Sequence, residues 1–574
     1  MRRLLAVPGA MIVAVILGLA GCGGGDEGTG GNGAAGNGGP PTVRVAADIT
    51  SPTSWDNTNV YVIDADIHAF STLAIRPGTT VKFASRGSLS TGGSGAIVAD
   101  GTASGRIRFT SLKDDSRGGD TNGDGSATAP SRGDWRGISL AGGNGSVFRN
   151  CDFTYSGGSF SGQGGPALDL GRTDRTTVDG CTFSDNDGGD PENPSGALKA
   201  DFAGAATLIS KNIFHGNNVP LSIHPAVRIE NTNTFHDPSD PARTNRYNGV
   251  FVSGGDLTTP AAWAGLEAPF VVHERLYIHQ PVSLGPGAII KFAPGGRMET
   301  ANSGTINASG TAISRVVFTS IRDDARGGDT NADGDATSPS PGDWGSVLLH
   351  GANGSIFRSC DFRYGGNGGY GALQLEATSG TTVDGCVFAE NDGGDPGEPW
   401  GALNAVFAGA GTVITNNAFF GNNVPLAIDE NFDLDGSNVF HDPANPPRKN
   451  RYNGIFVSPR GYLTAPRIWS GAEVPFVIRR TLELLGTLTF GPDVIVKFQA
   501  GAGINVYNRA GGGLEISPGV QFTSIRDDAR LGDTNGDGSG TVPQAGDWDG
   551  IAYEYLGAAV WSYVSWPNVY YDAH

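Results

Sequence analysis

The sequence predicts an all-β solenoid, a single-stranded parallel β-helix that carries long acidic loops. Three observations predict it. The mature chain repeats itself with a unit of about 205 residues, two and a half times. Within each unit, short apolar strands recur every 20 to 31 positions, divided by Gly, Asn and Asp turns. Glycine reaches 91 of 574 residues without a triplet period, which excludes collagen and fits a turn-dense β protein.

The first element is a leader. Arg2 and Arg3 precede an apolar stretch from Leu4 to Ala20, the layout of a secretory signal that is removed. Leu19-Ala20-Gly21-Cys22 resembles the lipobox of bacterial lipoproteins. That resemblance implies cleavage after residue 21, acylation of Cys22 and attachment to a membrane surface. The stretch from Gly23 to Pro41 is almost wholly Gly, Ala, Asn and Pro, and reads as a flexible tether. No other apolar run approaches spanning length. The expected location is therefore the bacterial outer membrane or cell surface, reached through a lipid anchor. Acidic residues outnumber basic ones by 58 to 39, for a net charge of −19. That balance argues against a nucleic-acid partner and fits cation binding.

The repeat supplies the domain plan: signal peptide 1–21, tether 22–42, first unit 43–257, second unit 258–463, and a partial third unit with a C-terminal cap, 464–574. Trp55, Trp263 and Trp469 occupy matching positions, each followed by an apolar strand and then by TVKFA, IIKFA or IVKFQ. Downstream, VFRNCDF (Val147–Phe153), TVDGCTF (Thr177–Phe183) and LISKNIF (Leu208–Phe214) align. Phe153, Phe183 and Phe214 share a column, as do Cys151, Cys181 and Asn212. The second unit repeats both columns with Phe362, Phe388 and Phe419, and with Cys360, Cys386 and Asn417. Like residues stacking at strand spacing, about 4.8 Å, are the pattern of a coiled parallel sheet. With coils such as KNIFHGN and NNAFFGN, the chain resembles the right-handed parallel β-helix repeats of the pectate-lyase-like superfamily. The resemblance implies the right-handed fold and is weak for function. The cysteine column reads as stacked thiols, favoured over a disulfide because parallel side-chain vectors make the torsion awkward.

The acidic loops carry the functional reading. Lys113–Trp135, Arg322–Trp344 and Arg526–Trp548 are each 23 residues long and nearly identical. Their centres, Asp120-Thr-Asn122-Gly-Asp124-Gly, Asp329-Thr-Asn331-Ala-Asp333-Gly and Asp533-Thr-Asn535-Gly-Asp537-Gly, match the first half of a calcium loop. Oxygens on alternate residues converge when the backbone curls, and glycine at the sixth position permits the turn. No flanking helices and no Glu at position twelve make this a ligand loop without the rest of an EF-hand. Another donor must close the sphere: Asp134, Asp343 and Asp547, always 14 residues after the first ligand, or alternatively the Asp114-Asp115 pair and its counterparts folding back. Thr128, Thr337 and Thr541 stand at the ninth position and could add a hydroxyl or water contact. Calcium is the expected ion. An Asx-turn loop capping its own backbone explains one such loop but not three of invariant length. The Trp of each GDW ending is expected to pack over the coil edge, with sugar stacking as the alternative use. A second acidic run, Asp185–Pro191 and Glu390–Pro396, lacks the glycine-punctuated triplet and is a weaker site.

No catalytic residue is assigned. Lyases of the resembled superfamily use calcium to neutralise a uronate and an Arg or Lys as base, which points at Arg117, Arg326 and Arg530. A base tuned by unique neighbours does not fit three equivalent places, and salt bridging to the adjacent Asp pair is the plainer account. The strings of the hydrolases, GHG and RIK, are absent, and His215, His236, His350 and His441 have no nucleophile beside them in sequence. The reading is a structural, adhesive or polysaccharide-binding surface protein; the alternative is a calcium-dependent polysaccharide lyase or glycoside hydrolase. Seven Tyr and Trp residues in the last 24 positions are expected to cover the terminal coil.

Overall fold

Strands of three or four residues cannot persist alone, so each must be held by neighbours one coil above and below. The computed structural model describes residues 40–158, 164–301, 303–555 and 560–574. The readings placed on residues 1–39, including the leader, the anchor at Cys22 and most of the tether, lie outside the described residues. The body begins with the strand Thr42–Val45, which pairs in parallel with Val60–Ile63.

From there the chain visits three sheets in turn. Val60–Ile63 lies in the first, Asp66–Ala69 in the second and Leu73–Ile75 in the third; Thr80–Phe83 then returns to the first, in register with Val60–Ile63. Apart from three hairpins, all pairings between strands among the described residues are parallel. Side chains alternate inward and outward, as in Ser88–Thr91, where Leu89 and Thr91 are buried. The expected all-β solenoid is the observed fold.

The aligned columns of the sequence become physical ladders. Phe109, Phe153, Phe183, Phe214 and Phe235 stack with ring centroids 4.7 to 5.3 Å apart. Phe318, Phe362, Phe388, Phe419 and Phe440 stack likewise in the second unit, 4.6 to 5.3 Å apart. A single residue bends the chain from the third sheet into the first, and it adopts the left-handed conformation: Asn150 (φ 46°), Gly180 (φ 65°) and Lys211 (φ 54°). The residue after each bend is the column of Cys151, Cys181 and Asn212. All four described cysteines are buried free thiols, so the stacked-thiol reading holds.

Buried asparagines brace a second corner. Asn217 Oδ1 accepts from the backbone N–H and the amide of Asn186 (both 3.0 Å), and Asn217 Nδ2 donates to Phe183 O (2.9 Å) and Asn245 Oδ1 (2.8 Å). The second unit repeats this ladder with Asn391, Asn422 and Asn450. Each rung satisfies backbone groups that a sharp corner would otherwise leave unpaired.

The repeat units are not separable domains. A thirteen-stranded sheet runs from Asp66–Ala69 to Ala418–Phe420, across the border at 257/258, and an eleven-stranded sheet runs from Gly255–Leu257 to Gln521–Ser524, across 463/464. One apolar core extends from Ile49 to Ile551. At the first border a hairpin, His236–Asp237 with Asp240–Thr244, stands where a strand of the first sheet would continue. The chain re-enters at Val250–Val252, in the sheet that had carried the second strand of each coil. Equivalent strands of successive units therefore occupy different sheets. At the far end, Trp548 is fully buried, and Phe522 pairs with the backbone of Asn568 and Tyr570 (3.0 Å each), so the terminal aromatic segment covers the last coil.

Candidate metal centre

Each acidic loop leaves the end of a strand of fixed type: Ile107–Ser111, Val316–Ser320 or Gln521–Ser524. The threonine of that strand ties the loop down at once. Thr110, Thr319 and Thr523 donate to Asp114, Asp323 and Asp527 at 2.6 to 2.7 Å. The first aspartate of each DD pair is thereby consumed in folding.

The GDW ending closes the loop. Asp134 accepts from Ser111 Oγ (2.8 Å), Ser131 N (2.9 Å) and Lys113 Nζ (2.8 Å). Asp343 is held alike by Ser320, Ser340 and Arg322, and Asp547 by Gln544 N and Arg526. Trp135, Trp344 and Trp548 are fully buried and stack on Phe83, Phe292 and Phe498 with centroids 4.0 to 4.3 Å apart. Their indole N–H groups donate to Thr154, Arg363 and Tyr570 carbonyls at 2.7 to 2.8 Å. They lock the loop as expected; burial rules out the alternative of sugar stacking.

Between these anchors the oxygens converge. Asp115, Asp120 and Asp124 each bring a carboxylate oxygen within 4.8 Å of the others, as do Asp324, Asp329 and Asp333, and Asp528, Asp533 and Asp537. The curl is built by the first ligand position: Asp120 Oδ1 accepts from Gly123 N (2.7 Å) and Oδ2 from Gly125 N (2.8 Å), both glycines having positive φ. In the second loop Ala332 adopts φ 58° where the others have glycine. Asn122 Nδ2 donates to Asp124 Oδ2 (2.9 Å), and Thr128 donates to the same oxygen (2.5 Å). What remains inward is unpartnered. Asp115 Oδ1, Asn122 Oδ1 and Asp124 Oδ1 are buried with no hydrogen-bond donor, and so are Asp324, Asn331 and Asp333 Oδ1 and Asp528 and Asn535 Oδ1.

One expectation is corrected. Asp134, Asp343 and Asp547 do not join the cluster, because serines in the first two loops, Gln544 N in the third, and the Lys or Arg at each loop base already occupy their oxygens. The carboxylate that completes each cluster is the second of the DD pair, Asp115, Asp324 or Asp528, the alternative left open by the sequence. The threonines at the ninth position, Thr128, Thr337 and Thr541, donate to Asp124, Asp333 and Asp537 and accept from Asn122, Asn331 and Asn535. The remaining expected residues, Asp120, Asn122 and Asp124 with Asp329, Asn331, Asp333, Asp533, Asn535 and Asp537, do come together.

Sequence reading passed over one residue. Lys82, Lys291 and Lys497, in the strands Thr80–Phe83, Ile289–Phe292 and Ile495–Phe498, are fully buried beneath the loops. Their ammonium groups donate to Gly119, Gly328 and Gly532 carbonyls at 2.5 to 2.6 Å. Burial pulls the Lys82 ammonium below its ordinary pKa and brings Lys291 and Lys497 down to about 8. The signal was a lone lysine in an otherwise apolar strand, repeated three times. On the other side, burial and then the Asp120 charge raise the Asp115 carboxyl above its usual range, with the same causes at Asp324 and Asp528. The carboxylates of each loop outnumber the one buried ammonium beneath them, so the cluster carries an excess of negative charge that suits a cation.

The ligand assignment has a direct check. Asp115→Asn is expected to remove one calcium equivalent in a calorimetric titration. Asp134→Asn is expected to leave the stoichiometry unchanged and lower stability by about 1–3 kcal/mol. The reverse pattern would restore Asp134 as the closing ligand.

Of the three loop arginines, Arg530 pairs with Asp527, while Arg326 reaches Asp361 at 3.8 Å. The expected bridge to the DD pair is thus formed in one loop of three. His236 and His441 each contact a glutamate, Glu267 and Glu473, at the same place in both units, and each starts a hairpin.

Fold and loops together define a repeat protein of the right-handed parallel β-helix class, with three oxygen-lined loops at its sheet margins. The sequence model of the family described as "Right handed beta helix region" matches residues 131–259. None of the curated proteins matches the chain.

Proposed function

We propose that this is a lipid-anchored, calcium-stabilised β-helix of the bacterial cell surface that displays a long flank for polysaccharide or adhesive contacts without catalysing a reaction. The observation that carries the calcium reading is the set of unpartnered inward oxygens, recurring in all three loops. A buried acceptor without a donor costs about 1–3 kcal/mol, more when charged, and a bound cation removes that cost. Calcium accepts six to eight oxygens in flexible geometry, whereas magnesium demands stricter octahedral packing. The anchor rests on the leader and Cys22. Non-catalytic display is supported by repetition, since the acidic clusters and the histidine–glutamate pairs recur in equivalent environments.

The test is a binding screen on the calcium-loaded protein with pectin, alginate and glycosaminoglycans, read for both retention and turnover. Retention with no unsaturated uronate and no new reducing ends is the expected result. Either product would replace display by the lyase or hydrolase reading.

A further inference from the structure

The aromatic segment over the last coil leaves one of the three faces of that coil open. In the first two units the chain runs on from the acidic loop into three strands, one per sheet. They are Ile138–Leu140, Val147–Arg149 and Cys151–Thr154 in the first unit, and Val347–His350, Ile356–Arg358 and Cys360–Arg363 in the second. The third unit departs from this path. Gly550–Tyr555 pairs with Gly503–Val506 and folds back as a hairpin with Val560–Tyr563, while the backbone of Asn568 and Tyr570 lies beside Phe522. Among the described residues no strand pairs with the outer side of Gly513–Ile516, which ends its sheet.

The uncovered strand presents core positions. Each unit pairs this strand with the matching one of the coil before, which aligns Leu514 and Ile516 with Ile97 and Ala99 and with Ile306 and Ala308. Those four counterparts are fully buried, whereas Leu514 is half-buried and Ile516 is 36% exposed. Around them lies an apolar recess of about 290 Å³, walled by Val520, Phe522, Trp566 and Pro567. In the first two units a phenylalanine occupies this place. Phe148 pairs with Ala99 and Phe357 with Ala308. Both are fully buried and set their rings at an angle to Phe109 and Phe318, 6.5 and 6.4 Å away. Phe522 is the counterpart of Phe109 and Phe318. The recess is therefore the seat of a central phenylalanine, beside a sheet edge that offers its backbone groups to a further strand.

We propose that this edge is a docking site for an extended segment of another protein, which adds to the sheet as one more parallel strand with a phenylalanine at its centre. The chemistry of the occupant follows from continuity with the coil-to-coil interface. The chain itself fills the position twice, with Val147-Phe148-Arg149 and with Ile356-Phe357-Arg358. An aliphatic residue, a phenylalanine and an arginine thus fit the seat, and the exposed Glu515 on the edge strand complements the arginine. The backbone orientation follows as well. Gly101 N donates to Arg149 O and Gly310 N to Arg358 O, both at 2.9 Å. The arginine therefore turns its backbone groups toward the edge strand, and the phenylalanine before it turns its own away. Main-chain bonds supply affinity and the ring supplies selectivity. The site lies at the end of the solenoid and does not depend on contacts along the flank.

The test is a fluorescence polarisation titration of the whole protein with a labelled peptide copying residues 352–359, ANGSIFRS. Saturable binding is expected, and Phe357→Ala in the peptide is expected to weaken it at least about tenfold. N-methylation of the peptide's arginine amide should also weaken it at least about tenfold, and N-methylation of the phenylalanine amide by about threefold at most. In the protein, Ile516→Lys is expected to weaken binding at least about tenfold, whereas Ile468→Lys, at an exposed position of the same sheet, should leave it unchanged. No saturation up to about 1 mM peptide overturns the proposal, as does equal binding of the alanine peptide or an unchanged affinity in the Ile516→Lys protein. Equal losses from the two N-methyl groups overturn strand addition. A dimer of the peptide-free protein that the peptide dissolves, read by sedimentation, overturns a foreign occupant and gives the edge to a second copy of this chain.

Discussion

Stripped with chelator and then brought to about 10 mM calcium, the protein is expected to gain about 4–8 kcal/mol of stability. Extracellular calcium modules bind with Kd of about 10⁻⁴–10⁻³ M, and a ligand that binds only the folded state stabilises it by RT ln(1 + [L]/Kd). That gives about 1.4–2.7 kcal/mol per loop, and three loops on separate stretches of the solenoid should add. A rise in the urea midpoint with an unchanged slope is the readout. Asp329→Ala, which removes the carboxylate that accepts from Ala332 and Gly334, should take away about a third of the gain. No shift in midpoint on restoring calcium would sink the metal reading. Loss of three carboxylates from one loop with the full gain retained would sink the site assignment.

Asn217→Ala is expected to cost about 4–6 kcal/mol, a value reached only when a buried polar network fails. The side chain makes four hydrogen bonds; its removal takes the acceptor from the buried Asn186 backbone N–H and one partner each from the Asn186 amide, the Phe183 carbonyl and the Asn245 oxygen. Its neighbour Asn218 is half-buried and bonds Asp187 at 2.8 Å; Asn218→Ala should cost under about 1 kcal/mol. Equal losses from the two variants, measured by denaturant titration, would show that the ladder does not brace the corner. In a solenoid each coil touches only its neighbours, so the damage should centre on coils around residues 186–245. Hydrogen exchange would locate it.

Much of the fold was legible because stacking imposes a column rule on the sequence. Phe153, Phe183 and Phe214 could be aligned by eye, and the rings do stack. The carboxylate clusters were legible for a related reason: Asp, Asn and Asp at alternate positions with a following glycine is a local pattern. The closing carboxylate was not fixed by that pattern. Asp115 and Asp134 both lie near the loop in sequence, and they are distinguished by Ser111 and Lys113 at the loop base, which capture Asp134. Lys82 was missed because a strand lysine is ordinarily read as facing water, and here the overlying loop covers it.

The shift of equivalent strands from one sheet to the next has a consequence for how the molecule meets its surroundings. All strands of the thirteen-stranded sheet run the same way, so their starts line one margin and their ends the opposite margin. The first acidic loop leads into that sheet at Ile138–Leu140, and the second departs from it at Val316–Ser320. Neighbouring loops therefore sit on opposite banks of a shared surface, and the second and third stand in the same relation across the eleven-stranded sheet. A straight filament lying along one bank touches alternate loops at most. A pliable polymer that crosses over between them can engage each in succession.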